Sequence, residues 1–210
     1  ISAAKLAAEL NIPLLGLNAG KLGFTAGLEP GQMHLLSKLI KGRWHEERRM
    51  MLEVSLYSEE DQRRFYALND AVVSAELAKI VEYRMAIGGN SSYLYRADGF
   101  LVATPTGSTA YSLSAGGPVV EPTLDCMIYT PICPHSLFNR SVAFAPDTRL
   151  VVDIPRNRGR LFLTVDGAEP VELRAGDRLV FTRARRYARF IKLTNNSFYD
   201  ILNQKLLENQ

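Results

Sequence analysis

Cysteine is scarce in this 210-residue chain. Cys126 and Cys133 are the only two, they offer no disulfide framework, and both read as reduced, buried thiols of a cytoplasmic protein. Histidine is almost as rare, with three copies, and Cys133-Pro-His135 lacks the ligand spacing of a zinc site, so no structural metal is expected. Long apolar runs are absent too. The hydrophobic stretches have strand length and are broken by charge, which excludes a membrane-spanning helix and a secretory hydrophobic region. Neither sign of charge dominates: 25 Lys and Arg face 22 Asp and Glu, for a net charge of +3. The basic cluster Arg183-Ala-Arg-Arg-Tyr-Ala-Arg189 is short and stands in a chain that is not otherwise basic. It reads as a solvated strand face rather than a nucleic-acid surface. There is no internal repeat.

What is present is an ordinary globular composition, 47% hydrophobic and 22% charged, enough for one large domain or two small ones. The chain opens on a helix-like stretch, Ile1 to Leu10, followed by the apolar strand Ile12 to Leu17. Helix then buried strand is half of a βαβ unit whose partner strand is expected upstream. Gly31 to Ile40 has helical spacing, closed by Lys41-Gly42. From Trp44 the texture changes to strands, predicted over Arg49–Tyr57, Arg64–Asn69, Ala71–Ser74, Ile80–Ile87, Phe100–Thr104, Thr148–Ile154, Leu161–Asp166, Arg178–Thr182 and Phe190–Thr194. Gly88-Gly-Asn90, Asp166-Gly167 and Ala175-Gly-Asp177 mark turns between them. Phe198 to Leu207 is helical again. The fold class expected is α+β, with residues 1–43 the remnant of an α/β (Rossmann-like) domain, 44–195 a β-rich, sandwich-like domain, and 196–210 a returning tail.

One segment concentrates polar groups with little bulk: Thr104-Pro-Thr-Gly-Ser-Thr-Ala-Tyr-Ser-Leu-Ser114, then Ala115-Gly-Gly-Pro118. It leaves the apolar run Phe100-Leu-Val-Ala103 and is predicted to enter a short helix capped by Ser108 or Thr109, whose free N–H groups favour a polar or anionic ligand. Gly107 is expected to let the backbone approach that ligand, and Gly116 or Gly117 to end the helix.

This segment, introduced by Asp98-Gly99, resembles the signature of bacterial NAD kinases. Asn18-Ala-Gly-Lys-Leu-Gly-Phe24 is similar to the family's glycine turn, Ala67-Leu-Asn-Asp70 to its Asn-Glu/Asp motif, and Thr130-Pro-Ile-Cys-Pro-His135 to its Thr-Pro-x-x-Pro-His segment. The family's Gly-Gly-Asp-Gly motif, with its aspartate base, is not among these 210 residues and is expected upstream of Ile1. No catalytic residue is therefore assigned within the chain, and the isolated 210 residues are expected to bind NAD weakly with negligible kinase activity.

The resemblance implies a set of NAD-binding residues, each with a plainer alternative. Asn69 and Asp70 hold adenosine or form an ordinary turn. Phe24 lids the adenine or anchors the core. Arg96 and Asp98, two apart and on one face, contact NAD beside the cradle or form a surface ion pair; in the family the aspartate acts across a subunit interface. Tyr111 stacks on a ring or packs as an amphipathic core residue. Thr106, Thr109 and Ser114 supply hydroxyls, and Ala110, Ser112 and Leu113 complete the segment. His135 reads as structural. The implied reaction is transfer of a phosphoryl group from ATP or polyphosphate, with Mg²⁺, to the 2′-hydroxyl of the adenosine ribose of NAD, giving NADP. A homodimer or homotetramer with a shared site is expected. Two other readings stand beside it: a non-catalytic NAD-binding or oligomerisation module, and a related lipid or sugar kinase.

Overall fold

A computed structural model of the chain describes residues 1–18, 27–76, 79–135, 139–155 and 159–208. Phe24, one of the expected site residues, lies outside them. The centre of the molecule is two six-stranded sheets, antiparallel at every strand pair. The first contains β1 (His45–Tyr57), β2 (Gln62–Ala67), β4 (Val81–Ile87), β5 (Tyr93–Ala97), β9 (Leu150–Asp153) and β12 (Arg178–Lys192), in the order β2-β1-β12-β9-β4-β5. The second runs β11-β10-β3-β6-β7-β8, from β3 (Asp70–Ala75), β6 (Gly99–Ala103), β7 (Met127–Ile132), β8 (Val142–Phe144), β10 (Leu161–Val165) and β11 (Val171–Leu173).

Alternation builds the core between them. Val81, Tyr83 and Met85 of β4 and Leu161, Leu163 and Val165 of β10 are buried at every second position. They meet Phe100, Val102, Leu179 and Phe181 in one apolar cluster. β6 breaks the alternation because it is buried on both faces: Phe100 and Val102 face the other sheet, while Leu101 and Ala103 pack outward with Ile128 against Ala115 and Val120 of the segment that follows. This outer cover fixes the cradle to the sheet.

β1 and β12 are longer than the sandwich. Leu52–Tyr57 and Arg178–Phe181 also pair with β2 and β9, but the halves His45–Met50 and Tyr187–Lys192 continue as a two-stranded ribbon past a register shift between Met50 and Leu52. Helix α1 (Ser2–Glu9) covers that ribbon through Ala4 and Ala8, in a second apolar cluster with Met51, Leu68, Ala184, Ala188 and Phe190.

Several expectations are corrected. Neither cysteine is buried: Cys126 is half-buried and Cys133 exposed, the latter in the bend after β7. The strands expected at Arg178–Thr182 and Phe190–Thr194 are one strand: it runs through the arginine-rich stretch with Ala184 and Ala188 buried, and its pairing with β1 shifts register there, between Arg183 and Tyr187. Ile12 to Leu17 forms no strand; it contributes two isolated parallel bridges, Leu14 to Phe190 and Leu17 to Leu28. Gly31 to Ile40 is a 3-10 helix over Pro30–Leu36 continued by α2 (Ser37–Ile40), neither burying a residue. Sequence reading also missed β5, β7, β8 and β11, which are short or carry proline or polar residues at alternate positions. Among the described residues no helix is long and apolar enough to cross a membrane.

Candidate functional site

The end of β6 and the start of β3 are neighbours, since Asp70 pairs with Ala103. That register sets Asn69 against the Thr104–Ser114 segment. Thr104 N donates to Asn69 O at 2.8 Å, Thr104 Oγ1 donates to Leu68 O at 2.5 Å, and Gly107 N donates back to Thr104 Oγ1 at 3.1 Å. Gly107 is needed here for a different reason from the one its sequence context suggested. A Cβ at residue 107 would stand 2.0 Å from Asn69 O and 2.4 Å from Asn69 C, so the backbone that approaches it is that of Asn69 rather than a ligand.

The segment is a 3-10 turn, Thr106–Thr109, followed by α3 (Tyr111–Ser114), a four-residue helix. Neither Ser108 nor Thr109 caps α3; its cap position is Ala110, with no side-chain hydrogen bond. The hydroxyls are spent on holding the loop. Ser108 Oγ donates to Pro105 O at 2.7 Å and accepts from Val120 N at 3.0 Å, and Thr109 Oγ1 donates to Thr106 O at 3.3 Å. Ser112 is buried with its hydroxyl 3.4 Å from that of Thr130, and Gly116, at φ +86°, ends the helix. What remains open on this segment is Tyr111, 46% exposed, with Leu113 and Ser114 exposed and Thr109 and Ala110 half-buried.

The Asn69-Asp70 pair is held by a residue from the other end of the chain. Asp166, in the left-handed region at φ +51° in the turn after β10, is positioned so that its carboxylate accepts from Leu68 N and Asn69 N at 2.8 Å each and from Asp70 N at 3.2 Å. Lys5 Nζ of α1 lies 3.4 Å from the same carboxylate. Asp70 is buried beside it, and burial, reinforced by the Asp166 charge, pushes its carboxyl up to about 6.

The loop thus sets one exposed aromatic ring beside an Asn-Asp turn, held there by a glycine. Residues 68–193 match the ATP-NAD kinase C-terminal domain. An NAD kinase of Symbiobacterium thermophilum is 43% identical over 209 residues, covering 98% of this chain and 74% of that protein. The NAD kinase of Moorella thermoacetica is 42% identical over 212 residues, 99% of this chain and 68% of that protein. The chain belongs to the NAD kinase family. Its fold agrees: yeast NADH kinase complexed with NADH superposes with a TM-score of 0.86 at 29% identity over 95% of this chain and 60% of that one. An NAD kinase from Archaeoglobus fulgidus in complex with ATP gives 0.74 at 28% identity, covering 93% of this chain and 74% of that one.

Against this NAD kinase fold the expected site residues separate into two groups. Asn69, Asp70, Thr106, Thr109, Ala110, Tyr111, Ser112, Leu113 and Ser114 come together around the end of β6. Arg96 and Asp98 do not join them. They precede β6 while the cradle follows it, and at roughly 3.4 Å per residue Asp98 and Thr104 are about 20 Å apart along the strand. Arg96 pairs with Glu82 on β4 at 2.8 Å, and Asp98 Oδ1 lies 3.5 Å from His135 Nε2. Arg96 thus has an ion-pair partner and Asp98 a polar neighbour in their own chain, and the idea that they flank the cradle within one copy is corrected. Thr106 and Ser112 face inward rather than outward, Thr106 toward Arg49, whose Nη1 stands 3.4 Å from Thr106 Oγ1, and Ser112 toward Thr130.

Sequence reading missed Asp166, which holds the Asn-Asp turn, and Arg49, which reaches Thr106 of the cradle. For Asp166 a signal existed, because Asp-Gly at a hairpin places a short acceptor at positive φ, although nothing local says which backbone it will reach. For Arg49 the signal was weak, being one of four consecutive charged residues at Glu46 to Arg49. Among the described residues no group of three or more His, Cys, Asp or Glu comes together to hold a metal ion.

Proposed function

We propose that this chain takes up NAD at the junction of β3 and β6, with Asn69 and Asp70 reading the adenosine and Tyr111 stacking on a ring, and that the 2′-hydroxyl of the adenosine ribose is the phosphoryl acceptor. The observation that carries this is the clamp between Asn69 and Gly107. It fixes an amide, a carboxylate and an exposed aromatic ring at one place, and that set offers donor, acceptor and stacking contacts to a nucleoside. In the reaction the 2′-oxygen bonds to the terminal phosphorus of the donor, its proton passes to a general base, and the bridge from that phosphorus to the rest of the donor breaks, releasing ADP or a polyphosphate one unit shorter. ATP is supported as donor by the ATP complex of the archaeal relative; polyphosphate is the alternative. A divalent metal travels with such donors and would neutralise charge on the transferred phosphate; among the described residues no three His, Cys, Asp or Glu side chains come together to hold one. The reaction belongs in the cytoplasm.

The distance of Asp98 from the cradle supports a second element of the proposal, that Asp98 serves the pocket of a neighbouring copy in a homodimer or homotetramer. Titration of NAD into the protein tests both. Asp98→Ala and Tyr111→Ala are each expected to weaken binding at least tenfold. A mixture of the two variants should recover tight sites, because one copy then supplies Asp98 and the other Tyr111. A folded wild-type protein that fails to bind NAD overturns the pocket; a mixture that recovers nothing overturns the sharing.

A further inference from the structure

The ribbon formed by β1 and β12 buries two cations against one carboxylate. Arg49 is 2% exposed and Lys192 is 9% exposed. Both point to the same face of the ribbon, since Glu47 pairs with Phe190 and Arg49 with Ala188, while Lys192 sits two positions beyond Phe190. Glu47 forms an ion pair through Nε and Nη2 of Arg49 and is also the carboxylate that acts on Lys192. Among the described residues no second carboxylate acts on this pair. Phe190 lies under the guanidinium, 5.5 Å from its centre, and helps to keep it in place. Arg49 Nη1 then reaches Thr106 Oγ1 at 3.4 Å, so this cluster touches the underside of the NAD cradle.

Removing two cations from water with a single counter-charge is costly. Desolvation pushes both Arg49 and Lys192 below their ordinary values, as an incompletely compensated pair requires. Glu47 is the part of the cluster that reaches solvent, with its side chain 20% exposed against 3% for Arg49. An anion entering from that side meets Glu47 first and can replace it on the Arg49 fork. A phosphate suits this exchange, because the guanidinium binds it with paired N–H donors and Lys192 adds a point charge.

We propose that Arg49 and Lys192 form an anion seat beneath Thr106 that holds a phosphate of the phosphoryl donor, with Glu47 as the counter-ion it displaces. The seat deepens the kinase reading and rests on it, since the cradle above is taken as the NAD site. The geometry sets the donor phosphate directly across Thr106 from the acceptor nucleoside.

The probes are ATP and inorganic tripolyphosphate, titrated calorimetrically into the protein, with NAD as control. Lys192→Met is expected to weaken both phosphate probes at least tenfold and NAD by less than twofold, with Lys192→Arg recovering most of the loss. Glu47→Gln is expected to tighten tripolyphosphate severalfold. Unchanged phosphate binding in folded Lys192→Met overturns the seat, and so does equal loss of NAD and phosphate. If Lys192→Met fails to fold, a Glu47→Gln variant that does not tighten tripolyphosphate overturns it instead. A wild type that binds tripolyphosphate but not NAD overturns the cradle assignment and leaves the seat standing.

Discussion

Gly107 and Asn69 are in backbone contact so close that a single methyl group on residue 107 would stand 2.0 Å from the Asn69 carbonyl oxygen. The cradle loop and the Asn-Asp turn are thus one rigid unit rather than two surfaces that happen to be adjacent. Gly107→Ala is expected to push them apart, costing about 1–3 kcal/mol of stability from overpacking and most of the NAD affinity. Urea unfolding and an NAD titration on the same sample check this; an alanine variant with wild-type affinity would show that the clamp is irrelevant to binding.

Asp166 holds the same turn from below through three backbone N–H groups. Asp166→Asn replaces one of two acceptor oxygens with an NH₂ that faces those donors, and leaves Lys5 without its carboxylate. A loss of about 1–3 kcal/mol is expected from unsatisfied buried donors, together with weaker NAD binding. The same change removes a negative charge from beside Asp70, so the Asp70 carboxyl should titrate lower than in the wild type, which carboxyl-detected NMR measures directly.

Asp70 sets a pH dependence with a definite sign. Its carboxyl is raised from the ordinary 3.8 to about 6 in the folded protein. Between those values the folded state holds a proton that the unfolded state has released, so stability is greatest below pH 4 as far as this group is concerned and declines as pH rises through 6. Asp70→Asn should therefore stabilise the protein above pH 6 by about 1–3 kcal/mol and flatten this part of the profile. NAD affinity, which on the proposed reading uses the ionised carboxylate, should move the opposite way and increase through the same range. Thermal unfolding and NAD titrations from pH 4.5 to 7.5 would expose a slope of the wrong sign.

The core contains a hydroxyl pair, Tyr83 and Tyr129, with oxygens 2.5 Å apart and burial raising both phenols, Tyr129 to about 12. Tyr83→Phe should cost about 1–3 kcal/mol, because it strands the buried Tyr129 hydroxyl. The double variant, Tyr83→Phe with Tyr129→Phe, should recover much of that loss, since neither hydroxyl is then left alone. A double-mutant cycle by urea unfolding decides; additive losses would mean that the pair is not coupled.

Sequence alone determined the strand-rich character of residues 44 onward, the turns at Gly88, Asp166 and Ala175, and the cradle from Thr104 to Ser114. Each of these is written in local chemistry: alternating burial, residues suited to positive φ, and small hydroxyl residues after an apolar run. Local chemistry also supported the family resemblance, because the motif residues are contiguous. Tertiary structure decided what lies far apart in the chain. The antiparallel register of β3 with β6 put Asn69 on Gly107, and the turn after β10 brought Asp166 under it, across nearly a hundred residues that no local pattern spans. The pairing of β12 with β1 beyond its register shift set Lys192 on the same ribbon face as Arg49 and left both buried. The length of β6 likewise separated Asp98 from the loop that its sequence neighbourhood seemed to join. Contacts of this kind depend on which strands pair and in what register, and pairing is chosen by the burial of whole faces rather than by any residue's neighbours along the chain.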